Sequence, residues 1–188
     1  IPAEVGGLVA MNAGIPGCEM RDVVLSIVVA DATGTIGVDA DAIGFAYRRT
    51  ALSPQMVVVE ATMGGVIRDP AVIRSEIEGR RARRRATQPT DLPNAGSMFK
   101  NPPGDNAGRL IDAAGLKGTS EGAIEVSAKH ANFFVNRGGG AARDVLRLID
   151  VVRDRVKTAF GVDLEPEVAS SRRSMCSISA GSFSKSRG

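Results

Sequence analysis

Apolar residues come in two kinds of stretch along this chain: short continuous runs, and one long run with helical spacing. Residues 23–30 (VVLSIVVA) and 56–61 (MVVVEA) are β-branched runs bounded by turn residues, the pattern of buried strands. Ala32-Thr33-Gly34-Thr35 supplies a turn after the first of them. Asp69-Pro70 opens a helix, since Asp can cap free amides and Pro at the first helical position loses no needed donor. Val72, Ile73 and Ile77 would give that helix an apolar stripe. Its far end leads to Gln88-Pro89, the expected domain junction. Residues 107–114 form a short helix with Leu110 and Ile111 inward, stopped by Gly115. Residues 123–127 and 132–136 are strand candidates. The stretch 141–160 is the clearest helix, with Val145, Leu148, Ile149, Val152, Val156 and Phe160 at spacings of three and four. After Ser170 the chain is serine-rich and basic with little periodicity, and 171–188 is expected to be a disordered tail.

The 188 residues allow one large domain or two small ones with a real core. Apolar content of 43% and charged content of 24% are those of a globular chain. No apolar run approaches the ~20 residues that span a bilayer, and Glu4 with the early glycines breaks any signal-peptide core. Cys18 and Cys176 make neither a disulfide framework nor a metal-ligand cluster, which fits a reducing cytoplasm and no bound metal. The net charge of +3 is unevenly placed, because Arg80, Arg81, Arg83, Arg84 and Arg85 form a dense run. A phosphate or nucleic-acid patch is one reading. A solvated helix end is the preferred one, since no aromatic stacking residues accompany the run.

Asn94 to Arg137 concentrates the candidate chemistry. It reads NAGSMFKNP, then AGRLIDAAGLKG, then VSAKHANFFVN. Ser97, Lys100, Asn101, Lys129, His130 (the only histidine), Asn132 and Asn136 alternate there with glycines and apolar residues. A few placed donors backed by an apolar wall suit an oriented, anionic, sugar-like ligand. The same residues also suit polar turns of a small α+β domain.

These motifs resemble the C-terminal domain of the UDP-N-acetylenolpyruvoylglucosamine reductase family, flavoenzymes that complete UDP-N-acetylmuramate for the bacterial cell wall. IPAEVGGLVAMNAG resembles the family's IPGSxGGAVxMNAG flavin segment, FAYRRT resembles FGYRxS, and FGVDLEPEV resembles FGVxLExEV. Four motifs in one order are far more specific than a lone glycine pattern. The resemblance implies an α+β fold: the C-terminal half of a flavin-binding domain over 1–85, then a smaller substrate-binding domain over 86–170. It implies that the earlier half of the flavin domain lies upstream of Ile1. It also implies a cytoplasmic enzyme, monomeric at full length, that uses FAD and NADPH on a UDP-sugar, with no nucleic-acid or membrane partner.

By the same resemblance, Ser97 in GSMFKNP is the proton donor, Arg48 in FAYRRT holds the substrate carboxylate, and Glu167 in EPEV helps polarise it. Gly6, Gly7, Asn12, Ala13 and Gly14 form the flavin-binding surface. Gln88, Asn101 and His130 fall where the family contacts the nucleotide sugar. Three positions depart from the family pattern. Ala3 and Glu4 stand for a glycine and a small hydroxyl residue, and Ala169 stands for an arginine. These departures, with the missing upstream half, lead to the expectation that the chain alone holds FAD poorly. Two rivals stand beside the enzyme: a non-catalytic nucleotide-sugar-binding remnant, and a nucleic-acid-binding module built on the arginine run.

Overall fold

The computed structural model describes residues 4–15 and 17–168. Ala3, Ala169, Cys176 and the expected tail 171–188 lie outside the described residues. The chain divides into two compact units, Ile1–Ile77 and Glu78–Gly188. Both mix helix and sheet, which gives the expected α+β class.

In the first unit, helix α1 (Val5–Ala10) is followed by the two-residue strands β1 (Gly14–Ile15) and β2 (Cys18–Glu19). Strands β3 (Val24–Asp31), β4 (Gly34–Asp39) and β5 (Val57–Met63) form an antiparallel sheet in the order β4-β3-β5. Both long apolar runs are therefore strands, but β4 was not readable. Its sequence GTIGVD has no apolar run, and pairing with β3 makes it a strand. Asp31 accepts hydrogen bonds from the Thr33 amide and hydroxyl, which closes the hairpin turn. Val24, Ile27 and Val29 of β3 pack with Val9 and Ile43. The rest of β5 is open, with Val57 63% and Val59 57% exposed.

Helix α2 (Pro70–Thr87) begins where Asp69 accepts a hydrogen bond from the Ala71 amide. The expected apolar stripe of Val72, Ile73 and Ile77 is present but not covered, and no residue of α2 is buried. The division between units falls inside this helix, ahead of Gln88-Pro89.

The second unit contains β6 (Asn94–Ser97), α3 (Ala107–Ala113), β7 (Ser120–Glu121), β8 (Ile124–Val126), β9 (Phe133–Asn136) and α4 (Ala142–Phe160). Its antiparallel sheet runs β6-β9-β8-β7. Leu110 and Ile111 of α3 and Leu148, Ile149, Val152 and Val156 of α4 share one core with Met98, Phe99, Ile124, Val126 and Phe134. Phe160 is the exception to the α4 stripe: it sits 40% exposed in the last turn, where Gly161 ends the helix in the left-handed region at φ 71°. Asp163 then ion-pairs with Arg153 and Lys157 and ties the following segment back to the helix.

Candidate active site

The site in the second unit is built around residues 97–100. Asn94 prepares the approach: its side-chain amide donates to the carbonyls of Pro89 and Leu92, and its oxygen accepts from the Gly96 amide. Gly96 sits at φ 81°, a conformation that favours glycine. Ser97 ends β6 opposite Phe133. It is partly exposed, and its hydroxyl makes no hydrogen bond among the described residues.

The next residues are clamped from two directions. The Met98 amide donates to the Asn132 carbonyl at 2.9 Å. The Phe99 amide donates to Asn132 Oδ1 at 3.0 Å, and Asn132 Nδ2 donates to the Phe99 carbonyl at 2.8 Å. One side-chain amide thus replaces a ladder pair, and Asn132 is only 4% exposed. In addition, the Glu167 amide donates to the Met98 carbonyl at 2.8 Å and the Lys100 amide to the Glu165 carbonyl at 2.9 Å. Lys100 and Glu165 also form an ion pair. The result is that Ser97 and Glu167 stand on adjoining extended segments, although 70 positions separate them in the sequence.

His130 lies in the turn before β9. Ser127, which is buried, accepts from the amides of Lys129 and His130. The Asn132 amide donates to His130 Nδ1 at 3.2 Å, so the remaining proton of the neutral ring is on Nε2. Burial, with the positive Lys117 as a smaller cause, lowers the His130 pKa from its ordinary value. The ring packs edge-on against Phe133 and against Gly108 of α3, where an added Cβ would come within 3.3 Å of His130 Cε1. Asn101 accepts from the Ala107 amide at 3.0 Å and so orders the start of α3. Gln88, just beyond α2, accepts from Arg84 Nε.

In the first unit, Arg48 meets the glycine-rich segment. Tyr47-Arg48 is the tip of a tight turn closed by reciprocal hydrogen bonds between Ala46 and Arg49. Arg48 itself has φ 55°, and its guanidinium lies 5.1 Å from the Tyr47 ring centre and 3.4 Å from the Asn12 carbonyl oxygen. Asn12 is fully buried. It donates to Glu19 and to the Ala46 carbonyl and accepts from the Arg21 amide.

The glycines divide by surroundings. A Cβ added at Gly6 would sit 2.9 Å from the Val58 carbonyl oxygen, so Gly6 lets α1 approach β5. A Cβ at Gly14 would strike Glu19 in the β1–β2 hairpin. A Cβ at Gly7 meets nothing within 4 Å. Of the segment singled out for flavin, Gly6, Asn12 and Gly14 have internal packing or hydrogen-bonding duties, while Gly7 presents open backbone. The Ala13 backbone bonds to Leu8 and Met20. No group of three or more metal-ligating side chains occurs among the described residues, and no helix there is long and apolar enough to cross a membrane.

Asn132 stands among the polar residues of the candidate stretch with no role assigned to it by the sequence. The signal was an amide inside the otherwise apolar run ANFFV, where a buried polar group needs a partner. Ser127 carried no comparable signal.

The second unit is an α+β domain that holds a serine and a glutamate on adjoining segments, with a histidine in the turn before β9. Comparison with known proteins gives that class a family. Residues 88–170 match the family model of the UDP-N-acetylenolpyruvoylglucosamine reductase C-terminal domain. A reductase of that name from Moorella thermoacetica is 47% identical over 169 residues, 89% of this chain and 56% of the relative. One from Anaeromyxobacter dehalogenans is 49% identical over 172 residues, 89% of this chain and 51% of the relative. The crystal structure of UDP-N-acetylenolpyruvylglucosamine reductase (MurB) from Thermus caldophilus superposes with a TM-score of 0.78 at 39% identity, covering 89% of this chain and 60% of that one. Residues 88–170 thus carry the C-terminal domain of this reductase family, the chain is similar to these reductases over 89% of its length, and it spans about half the length of the curated relatives it matches.

Proposed function

We propose that this chain carries the substrate-binding and proton-donating part of a UDP-N-acetylenolpyruvoylglucosamine reductase, which forms UDP-N-acetylmuramate for peptidoglycan in the cytoplasm. The observation that carries the reading is the clamp around Met98 and Phe99, which sets Ser97 and Glu167 on adjoining segments. Reduction of the enolpyruvyl double bond adds a hydride to one carbon and a proton to the other. FAD, itself reduced by NADPH, supplies the hydride when bound. Gly7 and the backbone of Ala13 would form part of the wall that holds it, while Gly6, Asn12 and Gly14 support that wall from within.

The chain's own residues handle the charge and the proton. Ser97 gives its hydroxyl proton to the carbanion-like carbon, a base strong enough for so weak an acid. Arg48 holds the substrate carboxylate, since a guanidinium can grip it with two hydrogen bonds as negative charge develops there. Glu167 polarises the same carboxylate region. The Nε2 proton of His130, the amide of Gln88 and the amide of Asn101 contact the nucleotide sugar. The full-length enzyme acts as a monomer.

A second reading, a nucleotide-sugar-binding module without catalysis, is favoured by one observation. Gly6, Asn12 and Gly14 are already engaged inside their own unit. Stopped-flow absorbance on Ser97→Ala in the full-length protein separates the two. Under the enzyme reading, flavin reduction by NADPH is unchanged, and reoxidation by enolpyruvyl substrate slows on the order of 100-fold or more. Wild-type reoxidation in the variant removes Ser97 from the chemistry. A full-length protein that binds UDP-N-acetylglucosamine in calorimetry but never takes up flavin supports the second reading.

A further inference from the structure

We propose that Asn12 is a positioning residue for Arg48, setting its guanidinium where it grips the substrate carboxylate. The inference rests on the assignment of Arg48 to that carboxylate in the reductase reading, and it adds a second residue that acts through Arg48. It starts from the backbone. Among the described residues only two that are not glycine have positive φ, Asn12 at 42° and Arg48 at 55°. They lie 36 positions apart, yet Arg48 Nη1 donates to the Asn12 carbonyl oxygen at 3.4 Å. The left-handed region disfavours a residue with a Cβ, so two such residues persist only where surrounding bonds hold them. Both belong to the first unit.

The Asn12 side chain supplies those bonds. It is fully buried. Its Nδ2 donates to Glu19 at 3.0 Å and to the Ala46 carbonyl at 3.1 Å, and its Oδ1 accepts from the Arg21 amide at 3.1 Å. Both amide donors and the oxygen are therefore engaged. Ala46 is the residue whose backbone closes the Tyr47-Arg48 turn against Arg49. Asn12 thus holds the turn through its side chain and the guanidinium at the tip through its own carbonyl. A further bond runs beside these: the Thr50 hydroxyl donates to the Ala10 carbonyl at 3.1 Å. Segments 10–12 and 46–50 are fixed against each other on both sides of Arg48.

A carboxylate gripped by two parallel hydrogen bonds needs the guanidinium plane in one orientation. The Asn12 carbonyl takes one of its five N–H donors, and the Tyr47 ring lies 5.1 Å away. Both contacts order a long side chain before substrate arrives, so less freedom is lost on binding. Asparagine suits the position. It tolerates the left-handed backbone better than most residues with a side chain, and it carries donors as well as an acceptor. Aspartate would tolerate the backbone but turn an oxygen toward Glu19 or the Ala46 carbonyl. Glycine would tolerate the backbone and hold nothing.

A double-mutant cycle of Asn12→Gly and Arg48→Gln in the full-length protein tests this. The readout is stopped-flow reoxidation of reduced flavin by enolpyruvyl substrate, expressed per bound flavin. Asn12→Gly keeps the carbonyl and loses the side chain. With Arg48 present it should slow reoxidation on the order of 10- to 100-fold. With Arg48→Gln in place the same change should cost less than about threefold, because a misplaced arginine and an absent one leave the carboxylate equally unheld. Asn12→Asp keeps the acceptor for the Arg21 amide and should show the same coupling, which serves if the glycine variant does not fold. Amide exchange at Arg49, whose N–H donates to the Ala46 carbonyl, should quicken in either variant while β3 stays protected.

Losses that simply multiply in the cycle overturn the proposal and leave Asn12 as a support for the flavin wall alone. Unchanged exchange at Arg49 also overturns it, since the turn then does not depend on Asn12. Wild-type reoxidation in Arg48→Gln by itself overturns the assignment of Arg48 and the proposal with it, a failure the cycle separates from the other two.

Discussion

In the second unit, α3, α4 and the strands β8 and β9 bury Leu110, Ile111, Val126, Phe134, Leu148, Val152 and Val156 in a single core. In the first unit, fully buried apolar residues among those described are limited to Val9, Val24, Ile27, Val29 and Ile43, and much of β5 faces solvent. The second unit also spends its buried polar groups on an internal clamp, with Asn132 and Ser127 both satisfied. The first spends its buried Asn12 on tying a glycine-rich segment to two turns. The difference shows where stability and site geometry coincide. In the second unit the segment carrying Ser97 leads directly into core residues Met98 and Phe99. In the first, Arg48 is held by a surface turn beside a smaller core. Perturbations should therefore have unequal effects in the two units.

The largest contrast is in core truncation. Leu148→Ala removes a fully buried side chain from the larger core and should cost about 2–5 kcal/mol of unfolding free energy. Val59→Ser, on the open part of β5, should stay within about 0.5 kcal/mol of wild type. Urea denaturation of both variants measures the contrast. A comparable loss in each would show that β5 is covered in solution and would remove the distinction between the units.

How far the sequence revealed this contrast depends on the kind of signal. The periodic stripe of α4 and the β-branched run of β3 were readable because local pattern and burial agree there, whereas the run of β5 is a strand in which no residue is buried, against the expectation of a buried one. Strand β4 was not, since GTIGVD becomes a strand only through its partner. Helix α1 hid behind two glycines, which favour loops over helix. The apolar residues of α2 were readable as a stripe, but periodicity cannot say whether anything covers it. For the site, motif resemblance pointed to Ser97 and Glu167, whereas their adjacency comes from hydrogen bonds between segments far apart in sequence. The Asn132 clamp is of the same kind: the residue type announced a need for partners without naming them.

An intermediate effect should come from that clamp. Asn132→Asp keeps the acceptor for the Phe99 amide but replaces the donor to the Phe99 carbonyl with an oxygen in a buried position. Leaving that carbonyl unpaired should cost about 1–3 kcal/mol, and more while the new carboxyl is charged. At acid pH the protonated carboxyl can donate again, so the deficit relative to wild type should shrink as pH falls. Chemical denaturation at several pH values measures this, and amide exchange at Phe99 reports the clamp itself. A pH-independent deficit, with Phe99 protection unchanged, would show that Asn132 fills space rather than holding the segment.

The smallest effect concerns His130, which belongs to the same unit but is only half-buried. Its folded pKa is lowered, chiefly by burial. The unfolded chain therefore binds the proton more readily, and stability must rise with pH through this window. The contribution is fully present above the ordinary histidine value of about 6.5 and is lost as pH falls through the lower folded value. His130→Gln removes the titration, so its stability should be flatter with pH across that window than that of the wild type. An NMR titration of the His130 ring should give a midpoint below the ordinary value. A raised midpoint would mean that an anionic group outweighs both burial and Lys117, and that the ring is charged near neutrality. It would then offer two N–H donors rather than one, and the Asn132 amide could no longer donate to Nδ1. The turn that leads from Ser127 into β9 would have to be held differently, so this small pH effect also tests the geometry next to the clamp.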